Sequence, residues 1–399
     1  MKIEILQKVE GEVYLHYKWN ETIIEDVEIE FLHYRGIEKM LLGKDPLDAL
    51  VINPRICGIC GHAHLRATVE ALENAFGIIP TQKAKTVREI TTFCEILQNH
   101  LKWFYLVIAP FLLDNVNFFT IQPAIVNINK IIALFGGQYP HNSYMLPGGV
   151  TCDPTAIEIF QAKNYLAQAK DTIKLQLFKN YTDLKDISKE KSDFGNILRK
   201  LITYSTVGQS YDRFVVLGEN SLVKPAKILK TSIKPISVKF IKETDVSVTY
   251  RGRFYETGPL ARMLLLRYPL IMQLHRRFKD ALVTRIAARV VEIDVIMKKL
   301  EQLLDSILLS ESSYIDNKQK DGHGMGVVEA ARGSLIHRIW VKNGTIAKYQ
   351  IITPTQWNLL QGTKEYPGVA RKAIQGLKDT KTAELIFRSF DICSVCTTH

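Results

Sequence analysis

No apolar run in this sequence is long enough to span a bilayer, and no basic segment followed by an apolar stretch opens it. The expectation is a cytoplasmic chain that carries no signal and meets a membrane only through a partner. Cysteine is scarce, six in 399 residues, which is too sparse for a disulfide framework. Internal repeats and low-complexity tracts are missing. Lys and Arg number 52 against 41 Asp and Glu, a formal net charge of +11. The basic residues are dispersed, and no helix-turn-helix or zinc-finger pattern accompanies them. The excess therefore reads as solvated surface, with no nucleic-acid partner. Hydrophobic content of 46% and charged content of 23% are those of an ordinary globular chain with room for a sizeable core.

The cysteine that is present is concentrated. Four of the six stand in two Cys-x-x-Cys pairs at opposite ends of the chain. The first reads Arg55-Ile56-Cys57-Gly58-Ile59-Cys60-Gly61-His62-Ala63-His64, and the second Asp391-Ile392-Cys393-Ser394-Val395-Cys396-Thr397-Thr398-His399. If the fold brings them together, they make a four-thiolate site suited to zinc, an iron–sulfur cluster, copper(I) or a nickel–iron centre. Structural zinc is the plain alternative, although zinc ribbons usually space their pairs roughly 15–20 residues apart. Independent redox dithiols lack the strand–CxxC–helix setting. Cys94 and Cys152 match no ligand motif and read as core thiols.

Periodicity predicts an α+β fold, a central bundle of long helices with peripheral β-sheet elements. Residues 1–36 alternate apolar and polar as a β segment, with a turn near Trp19-Asn20. Residues 55–190 and 259–310 make the helical core. A helix starts near Cys60 and ends at Gly77; it places Cys60 and His64 on one face. The next runs from Thr81 to Ala109 and stops at Pro110. A third spans Ala124 to Phe135. Asp153-Pro154 is read as N-cap and N1 proline of a long helix reaching about Lys185. Residues 201–256 read as β-rich and irregular, residues 334–353 as a hairpin turning at Asn343-Gly344, and 391–399 as a C-terminal metal motif. Gly322-His323-Gly324-Met325-Gly326 is too loosely patterned for a dinucleotide loop.

The flanks of the two cysteine pairs resemble the large, catalytic subunit of nickel–iron hydrogenases. Arg55-x-Cys57-x-x-Cys60-x-x-x-His64 looks like that family's N-terminal metal motif, and Asp391-x-Cys393-x-x-Cys396-x-x-His399 like its C-terminal one. Val9-Glu10-Gly11, Arg35-Gly36-Ile37-Glu38, Gly136-Gly137-Gln138-Tyr139-Pro140-His141, Pro147-Gly148-Gly149-Val150, Glu329-Ala330-Ala331-Arg332-Gly333 and Tyr349-Gln350-Ile351 fall in the same order. The resemblance spans 1–399, which is then read as a single large-subunit domain. It implies that Cys57 and Cys393 are terminal thiolates on nickel. Cys60 and Cys396 would bridge nickel to an iron that carries carbon monoxide and cyanide. His64 would hydrogen-bond near a bridging sulfur, Arg332 would lean over the metals, and Asp391 would orient that arginine. Glu10 would carry protons. Glu38, His399 and the carbonyl of Ile351 would hold a hard cation, Mg²⁺.

The resemblance further implies heterolytic, reversible cleavage of dihydrogen in the uptake direction. Electrons would pass to a small subunit carrying iron–sulfur clusters, because this chain has no spare cysteine set for a relay. A higher oligomer of such heterodimers is compatible with this. The sequence departs from the family in three places: Asp391-Ile392 replaces Asp-Pro, Ala331 precedes Arg332 in place of proline, and Phe111 follows Pro110 where many members have aspartate. The alternatives are a hydrogen-sensing regulatory subunit with slow turnover, a structural zinc protein, and the quinone-site subunit of a respiratory complex, which would be expected to have lost the thiolates.

Overall fold

The computed structural model describes residues 2–5, 12–32, 34–178, 184, 189–224, 236–242 and 245–393. Glu10, Cys396 and His399 lie outside the described residues. At the centre stand long helices whose apolar stripes face one another. Helix α1, Gly61–Phe76, buries Leu65, Val69, Leu72 and Phe76 and ends at Gly77, whose φ of 70° suits a left-handed cap. Helix α2, Gln82–Trp103, starts at Thr81, whose side chain accepts from the Ala84 N–H. It does not stop before Pro110. A π turn, Phe104–Ile108, leads into a last turn, Ala109–Leu112, with Pro110 near its start.

Helix α3, Gln122–Gly136, packs between α2 and helix α4, Ala156–Gln176. The cap of α4 is Thr155, not Asp153: Thr155 and Glu158 form a capping box. Asp153 is engaged elsewhere, by Lys83 and by the Ser313 hydroxyl. The helix ends at Gln176, short of the expected Lys185; 179–183 and 185–188 lie outside the described residues. Helix α5, Leu282–Asp305, runs through the middle and packs on α2. Ahead of it, 259–310 is broken into Pro259–Leu265 and Pro269–Phe278. The region 201–256 begins with the end of a helix, Asp193–Thr203, and carries a hairpin, Ile236–Lys242 with Asp245–Tyr250.

Two three-stranded antiparallel sheets flank the bundle. Strands β1 (Lys2–Ile5), β2 (Val13–Asn20) and β3 (Ile23–Phe31) form a meander. Strands β4 (Gly322–Ala330), β5 (Gly333–Lys342) and β6 (Thr345–Ile352) form the other. The β5–β6 turn has Asn343 and Gly344 both at positive φ, 53° and 71°, as a two-residue hairpin requires. Strand β4, absent from the sequence reading, lies directly on α1. Its glycines 322, 324 and 326 face the Ala67, Ala71 and Ala75 backbone, and a Cβ on any of them would collide with a carbonyl there. This close packing fixes α1, and with it the first cysteine pair, against the sheet that carries Arg332.

Candidate metal centre

The fold joins cysteines 336 positions apart. Cys57 Sγ lies 2.7 Å from Cys60 Sγ and 3.7 Å from Cys393 Sγ, and all three residues are buried. Cys57 ends a 3₁₀ turn, Asn53–Ile56, and Cys60 is the N-cap of α1. The backbone N–H groups of Ile59 and Cys60 donate to Cys57 Sγ at 3.4 and 3.2 Å. The loop is pinned from outside. Arg35 donates to the carbonyls of Arg55 and Ile56, Tyr139 Oη donates to the Ile59 carbonyl at 2.6 Å, and His141 bonds the Pro54 carbonyl at 3.1 Å. The Gly136–His141 and Arg35–Glu38 segments therefore act as supports of the first cysteine pair.

The C-terminal arm arrives from the helix Thr380–Ser389. Asp391, at φ 61°, turns the chain in a left-handed conformation that aspartate tolerates. Arg332 Nε donates to the Asp391 carbonyl at 3.0 Å and its Nη2 to Oδ1 at 3.3 Å. A second arginine, Arg289 of α5, donates to Asp391 Oδ2 at 2.6 Å. Burial works against the charge on Arg332. Asp391 and the sulfurs of Cys393, Cys60 and Cys57 outweigh it, and its pKa stands well above the ordinary guanidinium value. Arg332 is thus a fixed cation that lines a small void together with Cys60 and feels the charge of all three described sulfurs. Its place in the β4–β5 turn is set by Gly333, at φ 132°, and by Glu329, which accepts from the N–H groups of Leu217 and Gly218 and pairs with Arg262 at 3.0 Å.

Beside the sulfurs is this void of about 10 Å³, room for a single small molecule, lined by Cys60, His64, Leu335, Pro354, Thr355 and Arg332, among others. Among the described residues, the buried Arg332 Nη1 and Thr355 Oγ1 have no hydrogen-bond partner. Two orphaned donors next to soft ligands are what small acceptor ligands on a metal would satisfy. A cleft of about 760 Å³ also reaches Arg332, together with Asp391 and Gly58, between Trp103, Leu106 and Phe118. Phe111 lies under the Arg388 guanidinium, whose carbon is 5.1 Å from the ring centroid.

His64 lines the void, and its Nδ1 pairs with His337 Nε2 at 3.0 Å. His337 Nδ1 meets Tyr349 Oη at 2.9 Å and Thr68 Oγ1 at 3.2 Å, a buried polar chain leading away from the sulfurs. Glu38 Oε1 accepts from the Ile351 N–H at 2.6 Å, so the two described members of the expected Mg²⁺ site are neighbours. Cys94 is buried and Cys152 half-buried; for both, burial pushes the thiol pKa up. Sequence reasoning missed Arg289, His337, Thr355 and Glu95. Arg289 and Glu95 carry one available signal: each is a charged residue on the core-facing side of a long helix. Glu95, on α2, is fully buried, and burial pushes its carboxyl up to about 8 against the opposing pull of the His62 and Ala63 N–H groups; the Cys57 charge adds to the rise.

A family model described as nickel-dependent hydrogenase matches residues 35–126 and 244–399. The chain belongs to the nickel-dependent hydrogenase family. Among its relatives, the periplasmic [NiFeSe] hydrogenase large subunit of Desulfomicrobium baculatum is 24% identical over 100% of this chain and 94% of its own length. The sulfhydrogenase 2 subunit alpha of Pyrococcus furiosus is 25% identical over 95% of each chain. The coenzyme F420 hydrogenase subunit alpha of Methanocaldococcus jannaschii is 28% identical over 92% of this chain and 85% of its own. The Ni-Fe-Se hydrogenase of Desulfovibrio vulgaris Hildenborough shares the fold, with a TM-score of 0.85, 22% identity and 100% of both chains covered. The α+β fold is that of the hydrogenase large subunits, and the chain is a hydrogenase catalytic subunit, an oxidoreductase acting on dihydrogen. No helix among the described residues is long and apolar enough to cross a membrane.

Proposed function

We propose that residues 1–399 form one large-subunit domain that holds a nickel–iron centre and oxidises dihydrogen, passing electrons to a small subunit with iron–sulfur clusters. The observation that carries this is the meeting of Cys57, Cys60 and Cys393 under the Arg332 guanidinium, beside donors left unpartnered. A structural zinc site is closed by its four ligands. It has no use for a buried cation, a void and two orphaned donors at its edge.

Cys57 and Cys393 would be terminal ligands, with Cys60 and Cys396 bridging to an iron that carries carbon monoxide and cyanide. Bound there, the centre supplies heterolytic cleavage of dihydrogen. Arg332 Nη1 and Thr355 Oγ1 would donate to the cyanide nitrogens, and the Arg332 charge would polarise dihydrogen in the open space. Asp391, gripped by Arg289 as well, holds that guanidinium in place. His64 would orient beside a bridging sulfur while His337 fixes its ring. Glu38, the Ile351 carbonyl and His399 would hold Mg²⁺, and Glu10 would relay protons to solvent, since burial raises a carboxyl toward the working pH.

Metal analysis with infrared spectroscopy tests the reading. Nickel and iron together with carbon monoxide and cyanide bands are the expected result; zinc alone overturns it. Glu10→Gln should keep both metals yet lose exchange between deuterium gas and water; unchanged exchange removes Glu10 from the proton route.

A further inference from the structure

A cysteine that binds metal from the N-cap position of a helix leaves that helix uncapped. Cys60 is the N-cap of α1, and its side chain makes no cap hydrogen bond. The first N–H groups of α1 therefore need an acceptor from elsewhere, because a helix start buried without one is costly. The acceptor comes from the middle of α2. Glu95 Oε2 accepts from the His62 N–H at 2.8 Å and Oε1 from the Ala63 N–H at 3.1 Å. Glu95 is fully buried. Among the described residues no lysine or arginine forms an ion pair with it, and His62 Nδ1 lies 3.8 Å away. A carboxyl group buried in a core without an ion-pair partner is costly unless its oxygens are hydrogen-bonded, and packing alone would be served as well by leucine. Its two oxygens match two adjacent backbone donors, and those donors follow Cys60 directly.

We propose that Glu95 is a positioning residue of the metal centre, clamping the first turn of α1 so that Cys60 and the Cys57–Cys60 loop are held in register with Cys393. The loop is otherwise gripped on its outer side, by Arg35, Tyr139 and His141. Glu95 supplies the inner grip. Gly61 suits this turn, since a Cβ there would press on the Pro54 carbonyl at 2.7 Å and disturb the loop that the clamp holds.

This inference rests on the reading that the cysteines hold a nickel–iron centre, and the test separates the two. Glu95→Gln keeps the volume and one acceptor, but sets an amide N–H₂ against a backbone N–H. In the purified holoenzyme it should retain the fold and shift the cyanide and carbon monoxide bands and the nickel midpoint potential. Exchange of the His62 or Ala63 amide should quicken roughly tenfold, as loss of one buried hydrogen bond predicts. A lowered melting temperature with unmoved bands, potential and exchange makes Glu95 a core residue only and overturns the proposal. If the variant does not fold, wild-type exchange decides: amides at 62 and 63 as labile as those of an open helix start overturn it. If wild-type protein carries no diatomic bands, the metal reading falls instead, and the amide exchange still reports on the clamp.

Discussion

The two arms of the metal centre are held by different physics. The N-terminal arm, 53–60, is fixed by hydrogen bonds between side chains and backbone: Arg35, Tyr139 and His141 on carbonyls, and Glu95 on N–H groups just beyond. The C-terminal arm, 391–393, is fixed by charge. Asp391 takes Arg332 and Arg289, and the wider ring of His100, Glu292, Arg262 and Glu329 stands behind them. Backbone hydrogen bonds contribute about 1 kcal/mol each and tolerate the loss of one member. Breaking one partner of a buried ion pair strands a charge and costs about 3–5 kcal/mol. The first arm is thus built redundantly. The second depends on a few groups that also face the sulfurs.

The largest effect should come from Cys393→Ala, which removes a sulfur from the charged arm. The variant should lose nickel and all dihydrogen turnover; full nickel occupancy by metal analysis would end the ligand assignment. Arg332→Lys comes next. Lysine keeps the charge but not the planar fork that spans both oxygen positions of Asp391. Preorganised charge of this kind is worth about 3–4 kcal/mol. Turnover should therefore fall roughly a hundredfold or more, with both metals retained by elemental analysis. Wild-type turnover in this variant would make the arginine structural and erase the contrast between the arms.

How much of this was legible in the sequence depends on whether the signal was local. The cysteine pairs, Arg332 and Asp391 carry their meaning within a few residues. The N-cap and C-cap of α1 and the Asn343-Gly344 turn are equally local. Strand β4 was not legible, because three glycines in alternation look like a loop until a helix is laid against them. The period-2 spacing of Gly322, Gly324 and Gly326 is the strand face, and Ala67, Ala71 and Ala75 at helical spacing are its counterpart. Glu95 and Arg289 were missed for the same reason: their partners come from other helices, and helical periodicity records only that they are charged. The β4 contact gives a third and smaller prediction. Gly324→Ala places a methyl group against the Ala71 carbonyl. Overpacking costs about 1–3 kcal/mol, so the melting temperature should drop; an unchanged value would mean that α1 and β4 are not tightly apposed.

The smallest effect is a slope, and it bears on the charged arm alone. Glu292 receives Arg262 Nε at 2.6 Å and His100 Nε2 at 2.8 Å. Burial opposes its ionisation, but Arg262 and His100 outweigh burial and bring its pKa from 4.5 down to about 2. An unfolded chain takes up this proton near 4.5, whereas the folded one refuses it until about 2. The stability Glu292 contributes is therefore complete above the upper value and is lost as pH falls toward the lower. Burial likewise lowers the His100 pKa from 6.5 to about 4. A histidine held neutral loses stability over that earlier window, because the unfolded chain protonates first. Urea midpoints of the wild type should fall in two overlapping steps on acidification. One group contributes at most about 1.4 kcal/mol per pH unit to either slope. In Glu292→Gln the midpoint at neutral pH should be lower. The step below pH 4.5 should flatten, since glutamine binds no proton. The step between 6.5 and 4 should persist, since His100 stays buried and loses the carboxylate that favoured its charge. A wild-type acid slope in this variant would mean that the ion-pair ring does not anchor the C-terminal arm, and that the two arms are held alike.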